Sequence, residues 1–304
     1  MTPISTAAFY DRATYDMGTL RSRAEYLQSQ ISTGNRLTSS ADDPVAAARL
    51  RELERANLLT TADTANAQSA ASDLILADDA LTNLSTVVTR IHELAIQASN
   101  GTLNDSQRAS IGQEIGALQG NLVSLVNSRD TAGHALFGGD AAGSAYTLDA
   151  AGNASYAGTT ASDSVALGGG LSVVRSLTGP EFLNFTSGGS ASDLLATVKQ
   201  LAADLQGGAS DPAAAARGAL DKLTAAQDAI STGQTIIGAR LSWIDTTTSI
   251  RDNLAGQRSE TEAHIGGTDL ATTIAQLQQI TTVLQASQAS FVKLAGLTLF
   301  DVIR

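Results

Sequence analysis

The sequence predicts a mainly α-helical protein: a long antiparallel helical bundle or coiled-coil rod with paired terminal helices, plus a small β-rich insertion. Three observations support this fold class. Apolar residues recur in alternating steps of three and four along most of the chain, which is the spacing of one helix face. Aromatic residues make up only 4% of the 304 residues, which favours long helices with small, repetitive contacts. The segment 133–190 lacks this period and is rich in Gly, Ser and Thr.

An apolar stripe begins near the N-terminus of the chain. It comprises Tyr10, Ala13, Met17, Leu20, Ala24, Leu27 and Ile31. A lone helix of this kind is marginal in water, so the stripe requires a partner.

The last tract of the chain carries a similar stripe. It comprises Leu270, Ile274, Leu277, Thr281, Leu284, Gln288 and Phe291. Because the chain leaves along one set of helices and returns along another, its two ends are expected to pack against each other or against neighbouring copies. The candidate assembly residues are Tyr10, Met17, Leu20, Leu27, Ile31, Leu270, Ile274, Leu277, Leu284 and Phe291.

A polar corner is expected between the first two helices. Its motif comprises Gly34, Arg36, Asp42, Asp43 and Pro44. Gly34 closes the first helix. Asp43 suits the N-cap of the second helix because its carboxylate can accept first-turn N–H bonds, and Pro44 suits the first helical position because it has no N–H to lose. The pattern fits both a fixed corner between two packing helices and an ordinary helix–helix turn.

Helix signals recur on both sides of the insertion. Asn100-Gly101 ends the second helix, Asn104 caps a third, Asp211-Pro212 repeats the cap and proline pair, and residues 266–269 interrupt and recap the last tract. Within the insertion, turn residues separate two pairs of β-prone segments, which predicts two hairpins. The expected domains are terminal assembly segments at 1–40 and 266–304, a helical rod domain at 41–132 and 191–265, and the insertion at 133–190.

The formal net charge of −11 lies wholly after residue 60, because residues 1–60 contain seven Arg and seven acidic residues. An acidic surface repels phosphate backbones, which argues against a nucleic-acid partner. No apolar run approaches the roughly 18 residues that span a bilayer, so no membrane insertion is expected. The N-terminus lacks the basic and apolar regions of a Sec signal peptide, so another export route is expected if the protein is exported.

No catalytic, cofactor-binding or metal site is predicted, and the protein is not expected to be an enzyme. The chain has no Cys. His92, His134 and His264 are far from one another in the sequence and are interpreted as isolated from carboxylates in any ligand spacing. The adjacent Asp78 and Asp79 diverge by about 100° around a helix axis, which does not suit a shared metal or an acid–base pair.

Several short motifs resemble those of a known family. They are Gln30–Leu37 with Ser40–Pro44, Asn100–Thr102, Gly133–Gly139, Leu284–Phe291 and Leu297–Asp301. Together they resemble the bacterial flagellin family, and the Asp-Asp-Pro and Leu-Phe-Gly-Gly sequences favour its hook-associated branch. The resemblance covers residues 1–140 and 235–304.

The resemblance implies that the terminal helices form an inner coiled-coil tube, that the next helices surround it, and that the insertion faces solvent. It implies a structural subunit without cofactors that joins hook to filament by helical self-assembly. The implied partners are further copies in a helical ring, flagellin on the filament side, the neighbouring hook-associated junction protein on the hook side, and a flagellar export chaperone. The implied location is the extracellular flagellum, at the hook–filament junction, reached by type III export.

Two other functions stay open on sequence grounds. A small filament flagellin would share most of these motifs, and the final Val302-Ile303-Arg304 resembles flagellin endings. A secreted surface-binding module would act through the β insertion. That function requires clustered aromatic residues on one face, and residues 133–190 contain only five aromatic residues.

Overall fold

The computed structural model describes secondary structure for residues 4–301 and side chains for residues 8–293. The helices are α1 (Ile4–Thr33), α2 (Pro44–Ala98), α3 (Asp105–Val126), α4 (Gly179–Leu183), α5 (Leu194–Ala203), α6 (Pro212–Gly266) and α7 (Leu270–Asp301). The strands are β1 (Tyr146–Leu148), β2 (Ala154–Tyr156), β3 (Ser164–Gly168), β4 (Leu171–Val174), β5 (Asn184–Ser187) and β6 (Ser190–Asp193). The side chains of the C-terminal motif at 297–301 and the ending at 302–304 lie outside the described residues.

The predicted mainly α-helical fold is confirmed, and several helices begin and end at the predicted signals. Helix α2 begins at Pro44, and the Asp43 carboxylate accepts the N–H of Ala46 at 3.0 Å. Asn104 caps α3 in a reciprocal capping box with Gln107. The Asp211 carboxylate accepts the N–H of Ala214 at 2.9 Å, so it caps α6 in the same way.

Three antiparallel hairpins form the β region, and two of them were predicted. Strands β1 and β2 pair with Tyr146 opposite Tyr156, and β3 pairs with β4 across a turn of three positive-φ glycines. The third hairpin, β5–β6, was not predicted and extends to Asp193. Phe185 is the only large apolar residue of β5, so the strand carries almost no alternation to recognise.

The chain forms two compact units, and the boundary between them falls within α2 and α6. The terminal unit contains α1, α2 up to Leu58, α6 from Asn253 and α7. The central unit, Leu59–Asp252, contains the hairpins and most of the hydrophobic core, which includes an edge-to-face contact between Phe137 and Phe182 at 4.8 Å. These units reflect contacts within one chain. The predicted domains instead describe layers of an assembly, an inner tube and the helices around it. The predicted domain boundaries therefore stay a prediction. No helix in the described part of the chain is long and apolar enough to cross a membrane.

Candidate assembly site

Helix α1 turns its predicted stripe towards α7 within the terminal unit. Leu27 is only 5% exposed, and the other four candidate residues of α1 are half-buried. Near the opposite end of the stripe, the rings of Tyr10 and Phe291 meet edge-to-face with centroids 5.3 Å apart. The predicted pairing of the terminal helices is therefore confirmed, while the role of these residues in assembly stays a prediction.

Helix α7 covers only part of its predicted stripe against α1. Leu277, Leu284 and Phe291 are half-buried, whereas Leu270 and Ile274 remain 49% and 42% exposed. The shielded face also includes a residue outside the predicted stripe, Thr273, which is 8% exposed. The apolar surface at the start of α7 is thus left uncovered within the single chain.

Exposed apolar side chains are concentrated in the terminal unit. Ten of the seventeen large hydrophobic residues that are exposed in the described part of the chain lie there, although this unit holds about a third of the described side chains. Uncovered apolar surface at this density is typical of a surface that becomes buried on association. The central unit has a lower density of such residues.

The connectors between helices pair with each other at the end of the terminal helices. Arg36 N–H donates to the Gly266 carbonyl at 2.7 Å, and Thr268 N–H donates to the Gly34 carbonyl at 2.9 Å. Asn35 and Gly267 form an antiparallel bridge between these bonds. The predicted corner is therefore half of a two-connector junction that links the ends of α1, α2, α6 and α7.

Arg36 is the side chain that links three parts of this junction. Its Nε and Nη2 donate to the Ile265 carbonyl at 3.3 and 3.1 Å, and Nη2 also donates to the Asp43 carboxylate at 3.2 Å. The last carbonyls of a helix lack intrahelical donors and carry partial negative charge, so a guanidinium is favourable there. Arg36 thus joins the C-terminal end of α6 to the N-cap of α2.

The two aspartates of the corner have different partners. Asp43 caps α2 and pairs with Arg36, while Asp42 accepts the backbone N–H groups of Ser39 and Thr38 at 2.8 and 2.9 Å. The hydrogen bond from the Ala46 N–H, followed by that from Arg36, lowers the pKa of Asp43. The hydrogen bonds from Ser39 and Thr38 lower the pKa of Asp42. Both carboxylates therefore favour the charged form in the folded chain.

Acid is expected to weaken the corner. A carboxylate whose pKa is lowered by folding contributes stability above its unfolded pKa, and this contribution is lost as pH falls through the folded value. We expect the thermal unfolding temperature of the terminal unit to fall below about pH 4. Thermal unfolding followed by circular dichroism should show a weaker pH dependence for Asp43→Asn than for the unaltered protein. An equal pH dependence would contradict the role assigned to Asp43.

Gln30 belongs to the same junction and was missed by sequence reasoning. It is 7% exposed, and its Nε2 donates to the Arg36 carbonyl, which also accepts the Tyr26 hydroxyl at 3.4 Å. Apolar periodicity identifies only apolar residues, so it could not identify Gln30 as buried. The position of Gln30 near the end of α1 was the only signal for this contact in the sequence.

Gly34 has a conformation that requires glycine. Its φ is +72°, and a Cβ added there would meet no atom within 4 Å, so alanine would cost only backbone strain. We expect Gly34→Ala to destabilise the terminal unit by about 1–2 kcal/mol. Gly18 lies inside α1 with equally open surroundings, so Gly18→Ala should instead stabilise by about 0.4–1 kcal/mol. Chemical denaturation that gave both variants the same sign would contradict this assignment.

One polar cluster in the central unit corrects the interpretation of the histidines. His134 Nδ1 lies 3.2 Å from an Asp130 carboxylate oxygen, so the prediction that His134 is isolated from carboxylates was wrong. The two residues are four positions apart, a spacing that can bring side chains together even outside a helix. Asp130 also pairs with Arg175, which binds Asp73 at 2.7 Å. Within the described residues, no group of three or more His, Asp or Glu side chains is placed to hold a metal ion.

Comparison with known proteins connects this architecture to a family. The family model for the bacterial flagellin N-terminal helical region matches residues 4–142. Flagellar hook-associated protein 3 of Escherichia coli is 29% identical over 303 residues, which cover 94% of this chain and 95% of that protein. The N-terminal part of the chain is thus similar to the bacterial flagellins, and its similarity to hook-associated protein 3 extends along nearly the whole chain.

Within the flagellin family, the similarity is more extensive to hook-associated proteins than to filament proteins. Flagellin of Listeria monocytogenes is 34% identical, but over 94 residues that cover 30% of this chain and 32% of that protein. The crystal structure of the flagellar junction protein from Legionella pneumophila shares the fold, with a TM-score of 0.62 at 17% identity, covering 72% of this chain and all of that one. The resemblance to the hook-associated branch, which the motifs favoured, is confirmed.

Proposed function

We propose that this chain is a structural subunit of the bacterial flagellum that joins hook to filament by helical self-assembly of its terminal helices. The observation that carries this proposal is the similarity to hook-associated protein 3, which extends over 94% of this chain and 95% of that protein. A match over both lengths includes the terminal helices, the long central helices and the hairpin region. It therefore supports a shared role for the whole subunit.

The structure supports the proposed mode of assembly through the terminal unit. Helices α1 and α7 shield each other's stripes while leaving Leu270 and Ile274 exposed. A helix pair of this kind lowers its free energy when further copies cover the remaining apolar surface. The paired connectors then join the ends of α1 and α7 to the adjoining ends of α2 and α6 within the terminal unit. We infer that the corner motif sets the geometry of the ring.

A filament flagellin is the less favoured alternative. The similarity to Listeria flagellin covers less than a third of either chain, whereas the similarity to the hook-associated protein covers nearly all of both. The full-length similarity therefore favours the junction over the filament.

The proposed partners follow from the junction role. They are further copies of this chain, flagellin on the filament side, the neighbouring hook-associated junction protein on the hook side, and an export chaperone before secretion. We infer a structural rather than catalytic role at the extracellular flagellum, reached by type III export. Residues 1–60, which include the proposed assembly helix α1, are neutral overall, while the acidic excess lies in the rest of the chain. This charge distribution agrees with self-assembly through α1.

Location on the flagellum tests the proposal. Gold-labelled antibodies against the central unit, applied to intact flagella, should mark a single band between hook and filament in electron micrographs. Antibodies against flagellin serve as the control and should mark the filament along its length. Continuous labelling of the filament by the first antibody would assign the chain to the filament instead.

A further inference from the structure

The part of α2 nearest the start of the central unit lies beyond the reach of α3. Arg90 pairs with Glu114 at 2.8 Å, and the Arg108 side chain donates to the Ala98 carbonyl at 3.1 Å, so α3 runs antiparallel beside the C-terminal part of α2. Helix α3 ends at Val126 and covers only that part. Ala70, farther towards the N-terminal end of α2, is nevertheless fully buried. Another element must cover this stretch.

The β3–β4 hairpin supplies part of this cover, beside α6, which pairs with α2 through Arg251 and Asp63. Asn66 Nδ2 donates to the Ala166 carbonyl at 3.3 Å, and Arg175, immediately after β4, binds the Asp73 carboxylate through Nη2 at 2.7 Å and Nε at 3.1 Å. Positions 66, 70 and 73 lie on one face of a helix. The hairpin also places Leu167 and Val173 in the hydrophobic core. It is thus fixed along α2 by apolar and polar contacts.

The tip of the hairpin lies on an ion pair between α2 and α6. Arg251 of α6 is 3.2 Å from the Asp63 carboxylate of α2, and the two side chains are only 12% and 26% exposed. A Cβ added at Gly168 would overlap both the Asp63 carboxylate and the Arg251 guanidinium. The backbone at Gly168 therefore shields the pair from water, which strengthens the attraction between the two charges.

One buried polar atom indicates that this region depends on its cover. Thr247 Oγ1 of α6 is buried without a hydrogen bond within the described residues, while Arg251 Nη1 is buried in its ion pair with Asp63. The Thr247 hydroxyl would gain water if the helices separated, so hydration favours local opening here. The hairpin opposes that opening, because after β4 the Ser176 carbonyl also accepts a hydrogen bond from Arg240 of α6 at 2.7 Å. The hairpin is thereby fixed to both helices.

We propose that the β3–β4 hairpin is a brace that holds α2 and α6 together where no third helix of the described chain covers them. This assigns a mechanical function to part of the insertion. Its use in the flagellum rests on the proposed function, since a subunit at the junction must transmit torque without bending. The brace itself is a property of the isolated chain.

Two glycines of the hairpin turn provide a matched test. Gly168 and Gly170 both have φ of +79°, but a Cβ at Gly170 would meet no atom within 4 Å. Gly168→Ala and Gly170→Ala therefore carry the same backbone strain, and only the first displaces the ion pair. Hydrogen–deuterium exchange on the full chain should be about tenfold faster in residues 59–75 of α2 and 240–252 of α6 for Gly168→Ala than for Gly170→Ala. Equal exchange rates in the two variants would overturn the brace.

A second variant decides the matter if Gly168→Ala does not fold. Arg175→Gln removes the anchor after β4 without adding bulk, and it should speed exchange in the same α2 segment. Exchange that is unchanged in this segment would overturn the proposal. Because exchange is measured on the purified subunit, its outcome is independent of antibody labelling on flagella, so failure of the brace and failure of the junction role can be told apart.

Discussion

Replacing Leu270 and Ile274 together by Glu is expected to abolish incorporation into flagella while leaving the subunit folded. Both side chains are partly exposed in the single chain, at 49% and 42%, and glutamate is favourable in the first turns of a helix. If neighbouring copies bury this surface, two unpaired carboxylates become desolvated, which costs about 3–5 kcal/mol. The amount recovered with sheared hooks should fall at least about a hundredfold relative to the unaltered protein.

The control for this variant is a similar substitution outside the terminal unit. Leu148 of β1 is 53% exposed, so Leu148→Glu introduces one such carboxylate on a surface that the proposed assembly does not use. Circular dichroism should show folded protein for both variants. Normal incorporation of the Leu270→Glu and Ile274→Glu double variant would show that this end of α7 is not an assembly surface.

Arg36→Gln is expected to have the second largest effect on assembly. The substitution removes the guanidinium from the Ile265 carbonyl and from Asp43, while the backbone bonds between the connectors remain. For a half-exposed side chain this loss is about 1 kcal/mol per subunit after solvent screening. Because every subunit in a ring carries the same loss, the concentration needed for assembly should rise about fivefold.

The concentration needed for assembly can be measured by sedimentation of the purified protein. It can also be measured by incorporation into hooks at a series of expression levels. Arg21→Gln is the matched control, because Arg21 pairs with Glu25 on the exposed face of α1 and with no other acidic residue among those described. Equal assembly by the Arg36 and Arg21 variants would contradict a role for Arg36 in assembly. The corner would then be an ordinary helix–helix turn.

The sequence was sufficient wherever local chemistry decides the structure. Gly34 ends α1 because its positive φ suits glycine, and Asp43 with Pro44 begins α2 because cap and proline act within a few residues. The apolar stripe of α1 was likewise predictable, because helical periodicity alone determines which residues share a face.

The candidate site needed the structure wherever residues distant in sequence meet. Arg36 and Ile265 are 229 positions apart, and nothing in either segment specifies the other. Which residues of α7 remain exposed depends on the rotation of that helix against α1. The stripe alone therefore did not predict that Leu270 would be exposed and Leu277 half-buried. The contact of the β3–β4 hairpin with Asp63 and Arg251 likewise depends on three segments that are distant in the sequence, namely α2, α6 and the hairpin itself.

The most direct test of the central claim is deletion of the gene, followed by electron microscopy of the cells and measurement of flagellin in the medium. The junction role predicts hooks without filaments, with flagellin lost to the medium, and restoration by the unaltered gene. Filaments that stay attached to hooks in the deletion strain, whether fewer or altered in form, would contradict it and assign the chain to the filament.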